Sequence, residues 1–366
     1  MRLLAKRNRV LWVNSIGYRA PKASRADMSR IVRKLAAATR PLEEVEPNIF
    51  VLNPLAIPAY GSATVQQLNR TLLGQQVRSA MQRLGFDRPI NWVFNPAAAL
   101  LAGDLGEEAI VYYCVDEYSA LRGVAAGAIE SLERRVLSLA DLVVVSSQRL
   151  FEAKARFNPS TLLVRHGVDY DHFRSALAST TQTPDDIKGL KGPVLGYFGL
   201  ISEDWVDREL LAHVARTMPH ASLVLIGRST MDLARLKQCP NVTILGHRPY
   251  SSLPAYCKAF DVALIPFPIS PVTLHSNPLK AREYLAAGLP VVSTNIPEVR
   301  VLGSCRTAID HDDFVTQIHA ALESPGPERW RSASMQTESW AARLAEVEAV
   351  LLARMRMRTH SRRLAA

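Results

Sequence analysis

Ser276-Asn277-Pro278-Leu279-Lys280-Ala281-Arg282-Glu283-Tyr284-Leu285-Ala286-Ala287-Gly288-Leu289-Pro290-Val291-Val292 decides how this chain is read. Pro278 suits the first position of a helix, where its missing N–H leaves nothing unpaired. Gly288 suits the helix stop, and Pro290 leads into an apolar run over 290–293. Another apolar run, 262–266, stands on the near side of the helix. Strand, helix, strand in that order is a βαβ unit, which belongs to a parallel sheet.

The same alternation extends in both directions. Short apolar runs fall at 10–13, 49–53, 91–94, 109–115, 142–146 and 162–165, then at 194–198, 222–226, 242–245, 262–266 and 290–293. Most are continuous rather than alternating, as in parallel strands buried on both faces. The series is interrupted at 180–192 (TTQTPDDIKGLKG), a polar stretch with Pro184 and two glycines that reads as a linker. The expected architecture is α/β, with two Rossmann-like, doubly wound domains facing a central cleft. They would cover residues 1–180 and 190–328, followed by a C-terminal helical and basic segment, 329–366, long enough to cross back to the first domain. From 65 to 84 the apolar residues follow a 3.6-residue period, and no acid occurs between Ser62 and Phe86.

Composition narrows the function classes. The 366 residues are 48% hydrophobic and 21% charged, which excludes a chain disordered over most of its length. No apolar run approaches the roughly 18 residues of a membrane span. The opening Met1-Arg2-Leu3-Leu4-Ala5-Lys6-Arg7 is too short and basic for a signal peptide. Cys114, Cys239, Cys257 and Cys305 lack the spacing of a zinc site and read as reduced thiols of a cytoplasmic protein. The formal charge of +10 sits at the ends. Residues 1–40 hold eleven Lys or Arg and one acid, Asp27, and 354–366 hold five Arg and no acid. With the helix at 65–84 these could form one positive surface, suited to anionic lipid at the inner face of a membrane. No nucleic-acid-binding pattern accompanies the charge.

Open α/β sheets bind ligands beyond the carboxyl ends of their strands. Gly199 follows the first strand of the second domain and leaves room for close approach. A helix expected from about Asp204 would add free N–H groups. Arg228 follows the next strand as a cation able to face phosphate, and Tyr250 lies in the loop after the third. Near the start of the helix after Pro278 stand Asn277, Lys280 and Glu283. Lys280 and Glu283 share one helix face, a cation for a diphosphate and a carboxylate for ribose hydroxyls. In the first half Asp116, in Tyr112-Tyr113-Cys114-Val115-Asp116-Glu117-Tyr118, follows a strongly apolar strand. That places it at a sheet's carboxyl edge as a general base, or as the cap of a helix beginning near Ser119. His166 and Asp169 are second candidates. No metal-ligand constellation is evident.

Asn277-Pro278-x-Lys280-x-x-Glu283-Tyr284-Leu285-Ala286-x-Gly288-x-Pro290-Val291-Val292 resembles the donor-site segment of GT-B glycosyltransferases, nearest to the group 1 (family 4-like) bacterial enzymes of polysaccharide and teichuronic-acid assembly. Ala140-Asp141-Leu142-Val143-Val144-Val145-Ser146-Ser147, Val164-Arg165-His166-Gly167-Val168-Asp169-x-x-x-Phe173 and Gly196-Tyr197-Phe198-Gly199 agree in order and spacing. The resemblance covers roughly 100–330. It implies a nucleotide-sugar donor, UDP-linked, on the second domain and a glycan or lipid-linked acceptor on the first, with no cofactor and no required metal. Three departures stand out. His275 occupies the position of a glutamate often found in the retaining branch, His166 replaces the common Asn, and the usual Arg and Lys pair after Gly199 is missing. The start of the chain looks like the end of the family's first helix, so the chain may begin late, its own first loop at 14–19 partly replacing the usual one. Two other functions remain open at this point: a non-hydrolysing nucleotide-sugar epimerase, and a degenerate transferase acting as a scaffold for an active one.

Overall fold

The computed structural model describes residues 1–14, 42–57 and 62–364, with side chains as far as 358. The first loop, 14–19, beyond Asn14, and most of the basic stretch 1–40 lie outside the described residues. The chain divides into two compact units. One comprises Met1–Val164 with Leu344–Ala366, the other Arg165–Arg343.

Among the described residues the first unit holds two sheets. β1 (Val10–Val13) pairs in parallel with β3 (Ile49–Leu52), and β2 (Glu43–Glu46) runs antiparallel to β3. The other sheet is parallel throughout, in the order β4 (Ile90–Val93), β5 (Ala109–Cys114), β6 (Leu142–Val145), β7 (Thr161–Leu163). Its central strands are apolar at every position because both faces are covered. Ile110, Tyr112, Cys114, Val143 and Val145 pack with Leu73 and Val77 of the helix Ala63–Leu84 and with Ile129 and Val136 of Ala126–Leu139. Ala109, Val111, Leu142 and Val144 face Val347 and Leu351 of the final helix, Trp340–Leu364.

The second unit is built on one six-stranded parallel sheet. Its order is β10 (Val242–Gly246), β9 (Ser222–Ile226), β8 (Val194–Phe198), β11 (Val262–Ile265), β12 (Val291–Thr294), β13 (Cys305–Ala308). Chain order therefore reverses between β8 and β11. At such a reversal the connections leave in opposite directions, opening a crevice at the carboxyl ends of the two strands.

Several expectations shift. β2, Glu-Glu-Val-Glu, has no apolar run to announce it, and only one residue of β13 is buried. The first segment of the first unit ends at Val164, and 344–366 rejoin that unit. The stretch 180–192 lies inside the second unit, with Ile187 in its core and Asp186 bound to Arg248 and Tyr256. The C-terminal helical pattern is split into Arg329–Ala333 and Trp340–Leu364, because the chain between them bonds back to Val168, whose N–H donates to the Glu338 carbonyl at 2.8 Å.

The basic surfaces are partly neutralised. On the helix Ala63–Leu84, Arg70 pairs with Asp104 at 2.5 Å and Arg78 donates to the Asp104 carbonyl. In the tail, Arg354 donates to Ser160 Oγ and Arg358 pairs with Asp141, so both fasten the final helix to its own unit. Near the start, Arg2 pairs with Glu46 and Arg7 with Glu348. No helix among the described residues is long and apolar enough to cross a membrane.

Candidate functional site

Gly199 follows β8 with φ +137°, a conformation that L side chains rarely adopt. A methyl group there would lie 2.2 Å from Lys280 Cε and 2.7 Å from its Nζ. The lysine side chain thus lies directly over the glycine backbone at the sheet's reversal point. Gly227, after β9, has φ +143°, and a methyl group there would sit 1.8 Å from the Gly199 carbonyl oxygen. At these two positions the loops meet backbone to backbone, which explains why glycine stands at both.

Lys280 lies on the helix Leu279–Ala286, for which Pro278 is the residue before the first turn rather than within it. Its Nζ is 5.7 Å from the centre of the Tyr197 ring and 5.6 Å from that of Phe267. Among the described residues it has no hydrogen-bond or ion-pair partner. Burial holds its pKa below the ordinary lysine value, against the opposing charge of Glu283. Glu283, one turn further on, is only 7% exposed. Its carboxyl group also lacks a hydrogen-bond partner among the described residues. Burial raises its pKa to about 7, opposed by Lys280 and reinforced by Asp169. The two are not the surface ion pair that spacing alone would suggest. A half-buried cation and a buried carboxyl group left without hydrogen-bond partners are groups that a ligand would satisfy.

Asn277 is used differently from its sequence reading. Its amide oxygen accepts from Arg282 at 2.7 Å and its amide nitrogen donates to Glu298 at 3.2 Å. Arg282 is 1% exposed and also reaches Glu338, while Glu298 accepts from Arg165 at 2.7 Å. This network ties the start of the Lys280 helix to the segments around residues 165 and 338. Asn277 holds the helix in place, with its side chain engaged inside the protein. Sequence reasoning missed Arg282, whose only signal was a charge inside an otherwise apolar helix face.

His166 packs against Trp340, ring centres 5.6 Å apart, and its buried Nδ1 has no hydrogen-bond partner. Burial and nearby Arg282 lower its pKa to about 4, so the ring is neutral at pH 7. Asp169 is exposed, and its side chain does not cap the turn that follows. His275 ends the helix Pro271–His275 with Nδ1 2.7 Å from the Pro271 carbonyl oxygen. Arg228 is exposed beyond β9. Tyr250, 47% exposed, stacks on His172 with ring centres 4.5 Å apart. The helix expected from Asp204 begins instead at Arg208, and the carboxylate of Asp207 takes the Leu210 N–H at 3.0 Å. That N-terminus is therefore capped by its own residue.

In the first unit, Asp116 follows β5 at the sheet's carboxyl end. The turn after it is the short 3-10 segment Tyr118–Ala120, whose preceding residue is Glu117, and the next α-helix starts only at Ala126. Asp116 caps neither. Burial alone raises its pKa, to about 6.

Residues 192–324 match the family described as glycosyl transferases group 1. The match lies within the second unit. A curated relative, TuaH of Bacillus subtilis (strain 168), named as a candidate teichuronic acid biosynthesis glycosyltransferase, is 28% identical over 224 residues. That match covers 56% of this chain and 55% of the relative, so the chain spans about half the length of the curated relative it matches. Among solved structures, sucrose-phosphate synthase (tll1590) from Thermosynechococcus elongatus superposes with TM-score 0.65 at 16% identity, covering 98% of this chain and 99% of that one. Anabaena Alr3699/HepE in complex with UDP and glucose gives TM-score 0.59 at 15% identity, covering 92% and 94%. At these identities the likeness shows the fold, which is GT-B.

Proposed function

We propose that the chain transfers a sugar from a nucleoside diphosphate donor, UDP-linked, to a glycan or lipid-linked acceptor of envelope polysaccharide assembly. The observation that carries this reading is the pair Lys280 and Glu283. Both are desolvated and unpartnered among the described residues, and they stand where the strand order of the second unit reverses. Lys280 meets the diphosphate across Gly199, and exposed Arg228 adds charge to its outer side. Glu283 takes ribose hydroxyls, with Asp169 beside it, and Tyr250 offers a ring to the nucleoside. The leaving diphosphate is neutralised by these side chains, so the proposal needs no cofactor or metal ion. His166, neutral and with an orphaned Nδ1, accepts or donates one hydrogen bond to the donor. Asp116 in the first unit is the base that removes the acceptor proton.

UDP complexes among structural neighbours and the name of the curated relative support the choice of nucleotide and acceptor class. Attachment to an anionic membrane at its inner face is the same proposal's acceptor side. It rests on the charge of residues 1–40 and on exposed Arg83 and Arg356. Co-sedimentation with anionic but not neutral vesicles, lost at high salt, tests that part. The donor site is tested by melting temperature against a panel of nucleoside diphosphates and nucleotide sugars. A ligand that binds only the native state at a hundred times its Kd adds about 2.7 kcal/mol of stability. UDP and UDP-sugars should raise the melting temperature. A flat response across the panel contradicts the reading.

A further inference from the structure

A second group of charges lies beneath Asp116 and takes no part in the reaction as described. Lys154, on the helix Gln148–Ala155, is 5% exposed. Its Nζ donates to Glu117 Oε2 at 2.9 Å and to Glu133 Oε2 at 2.8 Å. Glu133, on the helix Ala126–Leu139, is 4% exposed, and its other oxygen accepts from Tyr112 Oη at 2.7 Å. Burial raises the pKa of Tyr112 and of Cys114 well above their ordinary values, so the phenol and the thiol remain protonated donors.

Lys154 thus links one loop residue, Glu117, to the helix-borne Glu133 and, through it, to Tyr112 of β5. Glu117 Oε1 also accepts from Ser119 Oγ at 2.9 Å. The same loop is held along its backbone. Ser146 Oγ donates to the Val115 carbonyl at 3.1 Å, and Tyr118 Oη donates to the Phe94 carbonyl at 2.6 Å. Asp116 is the loop's one carboxylate left outside these bonds. Burying a lysine with two glutamates is a poor way to gain stability, because desolvation offsets most of the attraction. Fixing one geometry is a better account of the arrangement.

We infer that Lys154 and Glu117 are positioning residues, which hold the Asp116 loop in the orientation that the acceptor's proton transfer needs. The inference rests on Asp116 as the base. Displacing a catalytic group by about 1 Å lowers rates roughly 100-fold. Releasing the loop from one side should therefore reduce kcat while leaving the donor site of the second unit unaffected.

The experiment compares Glu117→Gln, Lys154→Met, Asp116→Asn and the double variant Glu117→Gln/Asp116→Asn, each as full-length protein. Turnover with a UDP-sugar and UDP affinity by calorimetry are measured on each. Glu117→Gln is the milder change, because the Lys154–Glu133 pair survives and the folded protein is retained. The expected result is a kcat roughly 10- to 100-fold lower in Glu117→Gln, with UDP affinity unchanged and no additional loss in the double variant. Lys154→Met should lose at least as much. A normal kcat per folded molecule in Glu117→Gln, with Asp116→Asn inactive, overturns the positioning role alone. Equal and multiplicative losses in the double variant do the same, since they show Glu117 acting independently of Asp116. Wild-type turnover by Asp116→Asn overturns the base assignment and this inference with it.

Discussion

Replacing Lys280 with alanine should separate phosphate recognition from nucleoside recognition. Among the described residues the ammonium group has no hydrogen-bond partner and lies near the Tyr197 and Phe267 rings, at 5.7 and 5.6 Å. Such cation–π contacts contribute about 0.5–2 kcal/mol, less than the hydration a buried ammonium group gives up. That deficit is why its pKa lies below the ordinary lysine value. A diphosphate oxygen within hydrogen-bond reach would restore a charge-assisted bond, worth roughly 1.5–3 kcal/mol net. Unit charges 4 Å apart at an effective dielectric constant near 20 set a ceiling of about 4 kcal/mol. The expected weakening of UDP binding is therefore roughly 10- to 150-fold. Uridine, lacking phosphate, should lose less than about threefold by the same arithmetic. Calorimetric titration of both proteins with both ligands, at one ionic strength, gives the four affinities. Equal losses for UDP and uridine at an unchanged melting temperature would refute the phosphate role, as would unchanged UDP affinity.

Asp116→Asn should lower kcat on the order of 100-fold or more with donor affinity preserved, and wild-type kcat/KM should fall on an acid limb near pH 6, where burial places its pKa; wild-type turnover in the variant refutes the base assignment. Glu283 has a native pKa of about 7 against an ordinary 4.5, so the native state keeps a proton that the unfolded chain has released. Its contribution to stability is fully present below pH 4.5 and is lost as pH rises through 7, a change of about 3 kcal/mol. Denaturation of wild type and Glu283→Gln across that window should show the variant gaining by about that amount, and a difference that does not vary with pH refutes the burial of Glu283. Gly227→Ala would place its methyl group 1.8 Å from the Gly199 carbonyl oxygen at φ +143°. It should cost several kcal/mol of stability or abolish UDP binding, and a folded variant with native UDP affinity would show that the two loops are not packed as described.

How much was legible in the sequence depended on what each element had to bury. Strands such as Val194–Phe198 and Leu142–Val145 are apolar at every position because both faces are covered, and that pattern is visible without a structure. β2, Glu43–Glu46, sits on a sheet edge with exposed side chains, so nothing in its composition marks it. That Lys280 and Glu283 share one helix face could be read from their spacing, because three residues is close to one helical turn. Asn277 stood in the same motif, yet its amide is engaged by Arg282 and Glu298, partners 5 and 21 residues away. The triad of Lys154, Glu117 and Glu133 spans 37 residues across two helices and a loop, so spacing carries no trace of it. Charge counting overestimated the positive surface for a related reason. Arg70 and Arg358 each meet a carboxylate distant in sequence, and only the fold brings these together.

The central claim is transfer from a nucleotide sugar at the Lys280–Glu283 site. Its most direct measurement is release of UDP from UDP-sugars by the purified protein, with and without extracted lipid-linked glycan, compared with Lys280→Ala. The wild-type protein should release UDP, faster when acceptor is present, and Lys280→Ala should suppress the release. The absence of both UDP release and a melting-temperature shift with every UDP-sugar would contradict transfer at this site, as would release that Lys280→Ala leaves untouched.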